Sequence, residues 1–199
     1  RSTLFPYTTL FRSRDPQVDE SLCVNCGLCE KVCLILHPYE ECTPQKTYAA
    51  INKDDSIDVI YTDEDRISMD SKEYFEPVFK PDYNLDLLCS VNYICHLFIF
   101  RRDIYEKVGA FNKEFDGAQD HDFILRCCEA AGNVHHVPKA LYHWRSHAAS
   151  TAMSAESKLY AFDAGARAVQ AHYDRLGIPA TVEQDSFYGC YRTIYNWGK

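Results

Sequence analysis

Phe115-Asp116-Gly117-Ala118-Gln119-Asp120-His121-Asp122-Phe123-Ile124-Leu125-Arg126 holds a glycine, two acids two residues apart, and an apolar run closed by an arginine. The pattern predicts a helix that begins at the acids. The unpaired N–H groups and positive dipole end of a helix start favour carboxylates there. Phe123, Ile124 and Cys127 then face a core, and Asp120 faces outward from the first turn. A carboxylate on a rigid helix start can act as a general base for a substrate beside it. It can equally be a helix cap, and this stretch taken alone favours the cap.

Upstream, Ile57-Asp58-Val59-Ile60-Tyr61-Thr62 is a β-rich run that ends in Asp63-Glu64-Asp65. Open α/β sheets bind ligands in crevices beyond the carboxyl ends of their strands. Two carboxylates two residues apart can point into such a crevice, and their hard oxygens suit Mg²⁺ or Mn²⁺. A lone D-x-D is more often a solvated turn. Tyr74 to Leu88 reads as a Pro-punctuated loop leading into a short helix, and Asn92 to Phe100 as a buried strand. Arg102 to Val108 reads as a helix stopped by Gly109.

Downstream, His135 and His136 read as plain strand or loop residues, and His143-Trp144 as packing on a strand. Ser154 to Gly177 is an amphipathic packing helix, with Leu159, Phe162, Ala166, Val169 and Tyr173 on one side. Ser154 is its cap, and Gly177 with Pro179 its stop.

In order, these blocks resemble the family-2 glycosyltransferases of the GT-A fold, of the bacterial surface-polysaccharide type. The blocks are Val59–Arg66, Phe79–Asn84, Asn92–Leu97, Val108–Phe111, Phe115–Asp122 and Leu141–Ser150. The resemblance implies an α/β chain holding a partial, Rossmann-like GT-A domain that lacks its N-terminal half. It implies metal-assisted transfer of a hexosyl or rhamnosyl group from a nucleotide-sugar donor to a saccharide or lipid-linked acceptor hydroxyl. Asp120 would be the base that deprotonates the acceptor, with Asp122 a supporting, substrate-side acid. Asp63 and Asp65 would hold the Mg²⁺ or Mn²⁺. Arg145 would sit at the diphosphate, and His147 would be a third metal ligand. The absent half would bind base and ribose, so weak or no activity is expected of this chain.

Cys23-x2-Cys26-x2-Cys29-x3-Cys33 has the spacing of a bacterial ferredoxin 4Fe–4S motif. Zinc sites usually show two separated Cys pairs instead. With His37-Pro38-Tyr39 and Pro44 to Ala50, residues 18–55 resemble part of the deazaflavin-dependent hydrogenase/dehydrogenase β-subunit proteins. Leu34 stands where that family has Pro, and a first cysteine motif is not found, so an incomplete or labile cluster is expected. Residues 1–13 resemble a translated sequencing adapter, and 1–17 are read as a leader outside the fold. The ferredoxin-like segment thus spans 18–55, the transferase portion 56–150, the packing helix 151–177, and a connection to a following domain 178–199.

The 199 residues carry a net charge of -8, with no basic cluster to meet a nucleic-acid backbone. No apolar run is long enough to span a bilayer, and no signal peptide is recognisable, so the expected location is cytoplasmic. Two rival readings stand beside the transferase. One is an iron–sulfur electron-transfer protein carrying residues 56–199 as passenger. The other is a reading frame joined from unrelated pieces near Asp55–Ser56.

Overall fold

The computed structural model describes residues 54–145 and 159–198, together with the backbone of Val32–Leu34 and Glu41–Cys42. Strand β3 (Val59–Ile67) lies at the middle of a mixed sheet. Its neighbours are β5 (Phe98–Arg101), antiparallel, and β6 (Val134–Arg145), parallel. Strand β1 (Val32–Leu34) extends the sheet beyond β5, and β2 (Glu41–Cys42) extends it beyond β6. The described fold is therefore mixed α/β, and backbone from the cysteine-rich segment contributes its outer strands.

Both faces of β3 and β5 are apolar, as strands covered on two sides must be. Val59, Tyr61, Phe98 and Phe100 turn to one buried cluster, and Ile60 and Ile99 to the other. The first cluster is closed by α1 (Leu85–Ser90), α3 (Gln119–Ala130) and α4 (Leu159–Leu176). Helix α2 (Arg102–Val108) adds Ile104. As expected, it ends at Gly109, whose φ of +76° is one that glycine adopts without strain.

Asp58 ties the parallel pair together. Its Oδ2 accepts from the backbone N–H groups of Gly132 (2.7 Å) and Asn133 (3.1 Å), in the turn between α3 and β6. The β3–β6 register shifts between Thr62 and Asp63 and again between Asp63 and Glu64. Such irregularities re-aim side chains, and here they fall on the acids.

Two segments differ from the sequence reading. Tyr74–Val78, expected as loop, forms β4 against the end of β3. It is an exposed outer strand, which is where Pro77, with no N–H to donate, is tolerated. The strand expected over Asn92–Phe100 begins only at Phe98. Before it the backbone is irregular, with Cys95 at a φ of +42°. Its apolar residues are buried all the same, which is why the run looks like strand: Ile94 and Leu97 are both fully covered.

Helix α4 buries Val169 and Tyr173 as expected, but Leu159 is exposed, and Ala164 and Ala168 take buried places. It stops at Gly177 (φ +66°), where Ile178 N–H donates back to the Tyr173 carbonyl at 3.0 Å. The expected cap Ser154 lies outside the described residues. Residues 178–199, read as a connection, contain an antiparallel hairpin of β7 (Ala180–Gln184) and β8 (Tyr191–Tyr195). The hairpin packs against α4 so closely that the Tyr191 hydroxyl fills the space where a Cβ on Gly165 would stand.

Candidate functional site

Helix α3 starts where the acids predict, but neither acid caps it. Ala118 is the N-cap residue and offers no side-chain bond. Gln119 bends back instead, its Oε1 accepting from Gly117 N–H at 2.7 Å. Asp120 and Asp122 both lie in the first turn, where the dipole favours them.

Asp120 is half-buried at the side of a cavity of about 190 Å³. Cys95, His96, Phe98, Phe111 and Gln119 share the lining. One carboxylate oxygen is held by Asn92, whose amide Nδ2 donates to Oδ2 at 3.1 Å. Burial pushes the nearby Tyr191 hydroxyl up to about 12, with the Asp120 charge adding to it. His121, beside Asp120, is buried and bonds the Leu88 carbonyl through Nε2 at 2.7 Å. Burial lowers its pKa, so it is a neutral packing residue near neutral pH.

Asp122 meets a different environment. It is fully buried, and its Oδ2 accepts from Arg126 Nε (2.9 Å) and Nη2 (2.7 Å). Oδ1 makes no hydrogen bond, and Arg175 Nη1 stands 3.5 Å away as an ionic partner only. Arg126 also donates to the Val108 and Ala110 carbonyls, so Asp122 anchors α3 to the end of α2.

On β3 the acids have partners from β6 that the sequence reading passed over. Asp63 is 2% exposed. Its Oδ1 accepts from Lys80 N–H at 2.9 Å and pairs with His136 Nε2 at 2.8 Å. His136 stacks on Tyr61 and turns its Nδ1 toward the exposed Asp82, at 3.4 Å. Asp65 pairs with His143 Nδ1 at 2.5 Å. Each expected metal-binding acid is thus met by an imidazole. Among the described residues, no three His, Cys, Asp or Glu side chains gather to hold a metal ion. Carboxylate oxygens beside imidazoles are still donors that Mg²⁺ or Mn²⁺ accepts.

Arg145 ends β6 level with Ile67, two residues past Asp65. Its Nη1 donates to the Ser68 and Met69 carbonyls and to Ser71 Oγ (2.7 Å). His147 lies outside the described residues. So do Cys23, Cys26 and Cys29, while Cys33 sits in β1 with its backbone opposite Phe100.

Lys80 joins the strand-end acids to the Asp120 cavity. Its ammonium is buried and donates to Glu64 Oε2 (3.1 Å), to the Ile94 carbonyl (2.7 Å) and to the His96 carbonyl. Cys95 and His96 are cavity wall, so one cation spans both places. His96 in turn stacks on Tyr142 and meets Trp144 edge-on. Trp144 packs against the second core cluster, as its place on a strand suggests. Lys80, Asn92, His136 and His143 are the residues that sequence reasoning did not single out. The one signal available was the crowding of acids on β3, which requires partners from neighbouring elements once the strand is buried.

Residues 16–33 match the 4Fe-4S binding domain family. Over 119 residues, 59% of this chain, the protein is 45% identical to the uncharacterized protein y4gI of Sinorhizobium fredii, covering 13% of that protein. Over 124 residues, 62% of this chain, it is 40% identical to the O-antigen biosynthesis protein RfbC of Myxococcus xanthus, covering 10% of that protein. The chain therefore matches only about a tenth of the length of these relatives. Among the described residues, no helix is long and apolar enough to cross a membrane.

Proposed function

We propose that residues 56–150 are part of a glycosyltransferase that moves a sugar from a nucleotide-sugar donor to an acceptor hydroxyl during surface-polysaccharide synthesis. The observation that carries this reading is Asp120. It is a carboxylate on a helix start, oriented by Asn92, at a residue that lines a cavity. The similarity to an O-antigen biosynthesis protein supports the substrate class. The parallel β3–β6 pair, with acids at the end of β3, supports the C-terminal portion of a GT-A fold.

In this role Asp120 accepts the proton of the acceptor hydroxyl as that oxygen attacks the anomeric carbon. The donor's glycosidic bond to its diphosphate breaks, and the nucleotide leaves with the electron pair. Asn92 keeps the carboxylate aimed during proton transfer. Arg145, at the strand end, lies on the diphosphate side. A divalent ion held by Asp65, with Asp63 behind it and His147 as a further ligand, would offset the negative charge of the diphosphate. Asp122 keeps the first turn of α3 in place through Arg126.

The test is donor turnover with Mn²⁺, comparing the chain with Asp120→Asn. The expected result is slow turnover that falls by about 10²–10⁴-fold in the variant. Equal turnover in both would remove Asp120 as the base.

A second reading rests on the match of residues 16–33 to the 4Fe-4S binding domain family. There Cys23, Cys26, Cys29 and Cys33 hold a cluster, and the chain carries electrons. Bound iron and sulfide after anaerobic reconstitution test it.

A further inference from the structure

A second, larger concavity lies between α1 and the β7–β8 hairpin, with a volume of about 650 Å³. That is within the roughly 300–1,000 Å³ of ordinary ligand clefts. Asp86, Asp185, Tyr173, Tyr191, Tyr195 and Arg192 are among the residues that line it. The three hydroxyls of Thr193, Tyr173 and Tyr195 are linked at 3.2 and 3.3 Å. Flat rings stand exposed along the hairpin: Phe187 and Trp197 are each 74% exposed, and Trp197 stacks on Tyr195.

We propose that this groove binds the acceptor as an oligosaccharide, an inference that rests on the transferase reading above. A pyranose offers an apolar C–H face to an aromatic ring and a belt of hydroxyls to carboxylates and phenols. The groove supplies both kinds of partner side by side. A lipid tail would press the Asp86 and Asp185 carboxylates against hydrocarbon. A phosphate-rich ligand would meet two carboxylates and one arginine that Glu183 already pairs at 2.8 Å.

The groove lies close to Asp120 along the chain. Val91 and Cys190, both in its lining, form a backbone bridge, and the next residue, Asn92, holds Asp120. Tyr191 lines the groove and feels the Asp120 charge.

The test is isothermal titration of the whole chain with maltohexaose, chitohexaose and a rhamnose hexasaccharide, with glucose as the single-sugar control. At least one hexasaccharide is expected to bind, and glucose much more weakly. Tyr195→Ala and Phe187→Ala should each weaken binding by about tenfold, roughly 1.4 kcal/mol, with unchanged circular dichroism. Met69→Ala, at an exposed residue outside the groove, should leave binding as it is. Failure of all three hexasaccharides to bind overturns the inference, as does wild-type binding by both hairpin variants. Binding needs no donor and no turnover, so it can stand where the Asp120 test fails. Turnover without groove binding removes this inference alone.

Discussion

Asp120 and Asp122 sit two residues apart in one helical turn and meet opposite environments. Asp120 lines the cavity, while Asp122 spends its charge on Arg126 inside the protein. The two should therefore fail differently on substitution. Asp120→Asn should fold as the parent does and lose turnover. Arg126→Met leaves Asp122 buried with only the more distant Arg175 beside it. It should cost about 3–5 kcal/mol, read as a lower midpoint in urea unfolding. Phe123, buried against Phe100, Phe111 and the Arg126 guanidinium, should cost about 3–5 kcal/mol as Phe123→Ala in the same measurement.

Between elements, the contact of α3 with α4 carries a titrating pair. His172 Nδ1 meets Glu129 Oε1 at 2.7 Å, and Arg175 closes on the same carboxylate. Burial alone would lower the His172 pKa. Its bonds to Cys89 and Glu129 outweigh that and push it up to about 9. Burial likewise favours neutral Glu129, yet His172 and Arg175 hold it below the usual carboxylate range. A raised histidine pKa gives stability that is full below the unfolded value of about 6.5 and lost as pH climbs through 9. The melting temperature should thus fall between pH 7 and pH 9.5, by the equivalent of about 1–3 kcal/mol. His172→Gln should flatten that slope. Gly165→Ala acts at the other end of α4. It forces its methyl into the Tyr191 hydroxyl and should cost about 1–3 kcal/mol, with the hairpin displaced.

For the whole molecule, the sequence was most informative where chain chemistry is local. Gly109 and Gly177 stop their helices, because caps act within a turn or two, while the 3–4 spacing of α4 placed only Val169 and Tyr173 correctly on its buried side. Asp120 and Asp122 could be placed on a helix start, and the family resemblance alone gave them different roles. In the structure Asn92, some 30 residues upstream, holds Asp120, and Arg126, one turn on, holds Asp122. The imidazoles beside Asp63 and Asp65 were hidden by distance: β6 follows β3 by about 70 residues, and only parallel pairing brings them together. The irregular run before Phe98 looked like strand because burial, not backbone pairing, selects its apolar residues. The cysteine motif makes its own prediction for the full chain. Anaerobic reconstitution should give less than one stable 4Fe–4S centre per chain, as expected of the labile cluster its sequence suggests. A stoichiometric centre that survives gel filtration would refute this.

Lys80 gives the two candidate regions a common fastening. One ammonium serves a carboxylate on β3, the Ile94 carbonyl and the carbonyl of His96, which lines the cavity beside Asp120. Neither region can shift without loosening the other's hydrogen bonds. Substitutions at Glu64 and Asn92, on opposite sides of this fastening, should therefore not add. A double-mutant cycle on turnover or on urea stability should return a coupling energy of about 0.5–3 kcal/mol, where independent sites would agree within about 0.5 kcal/mol. Two places that look separate along the chain would then answer to perturbation as one.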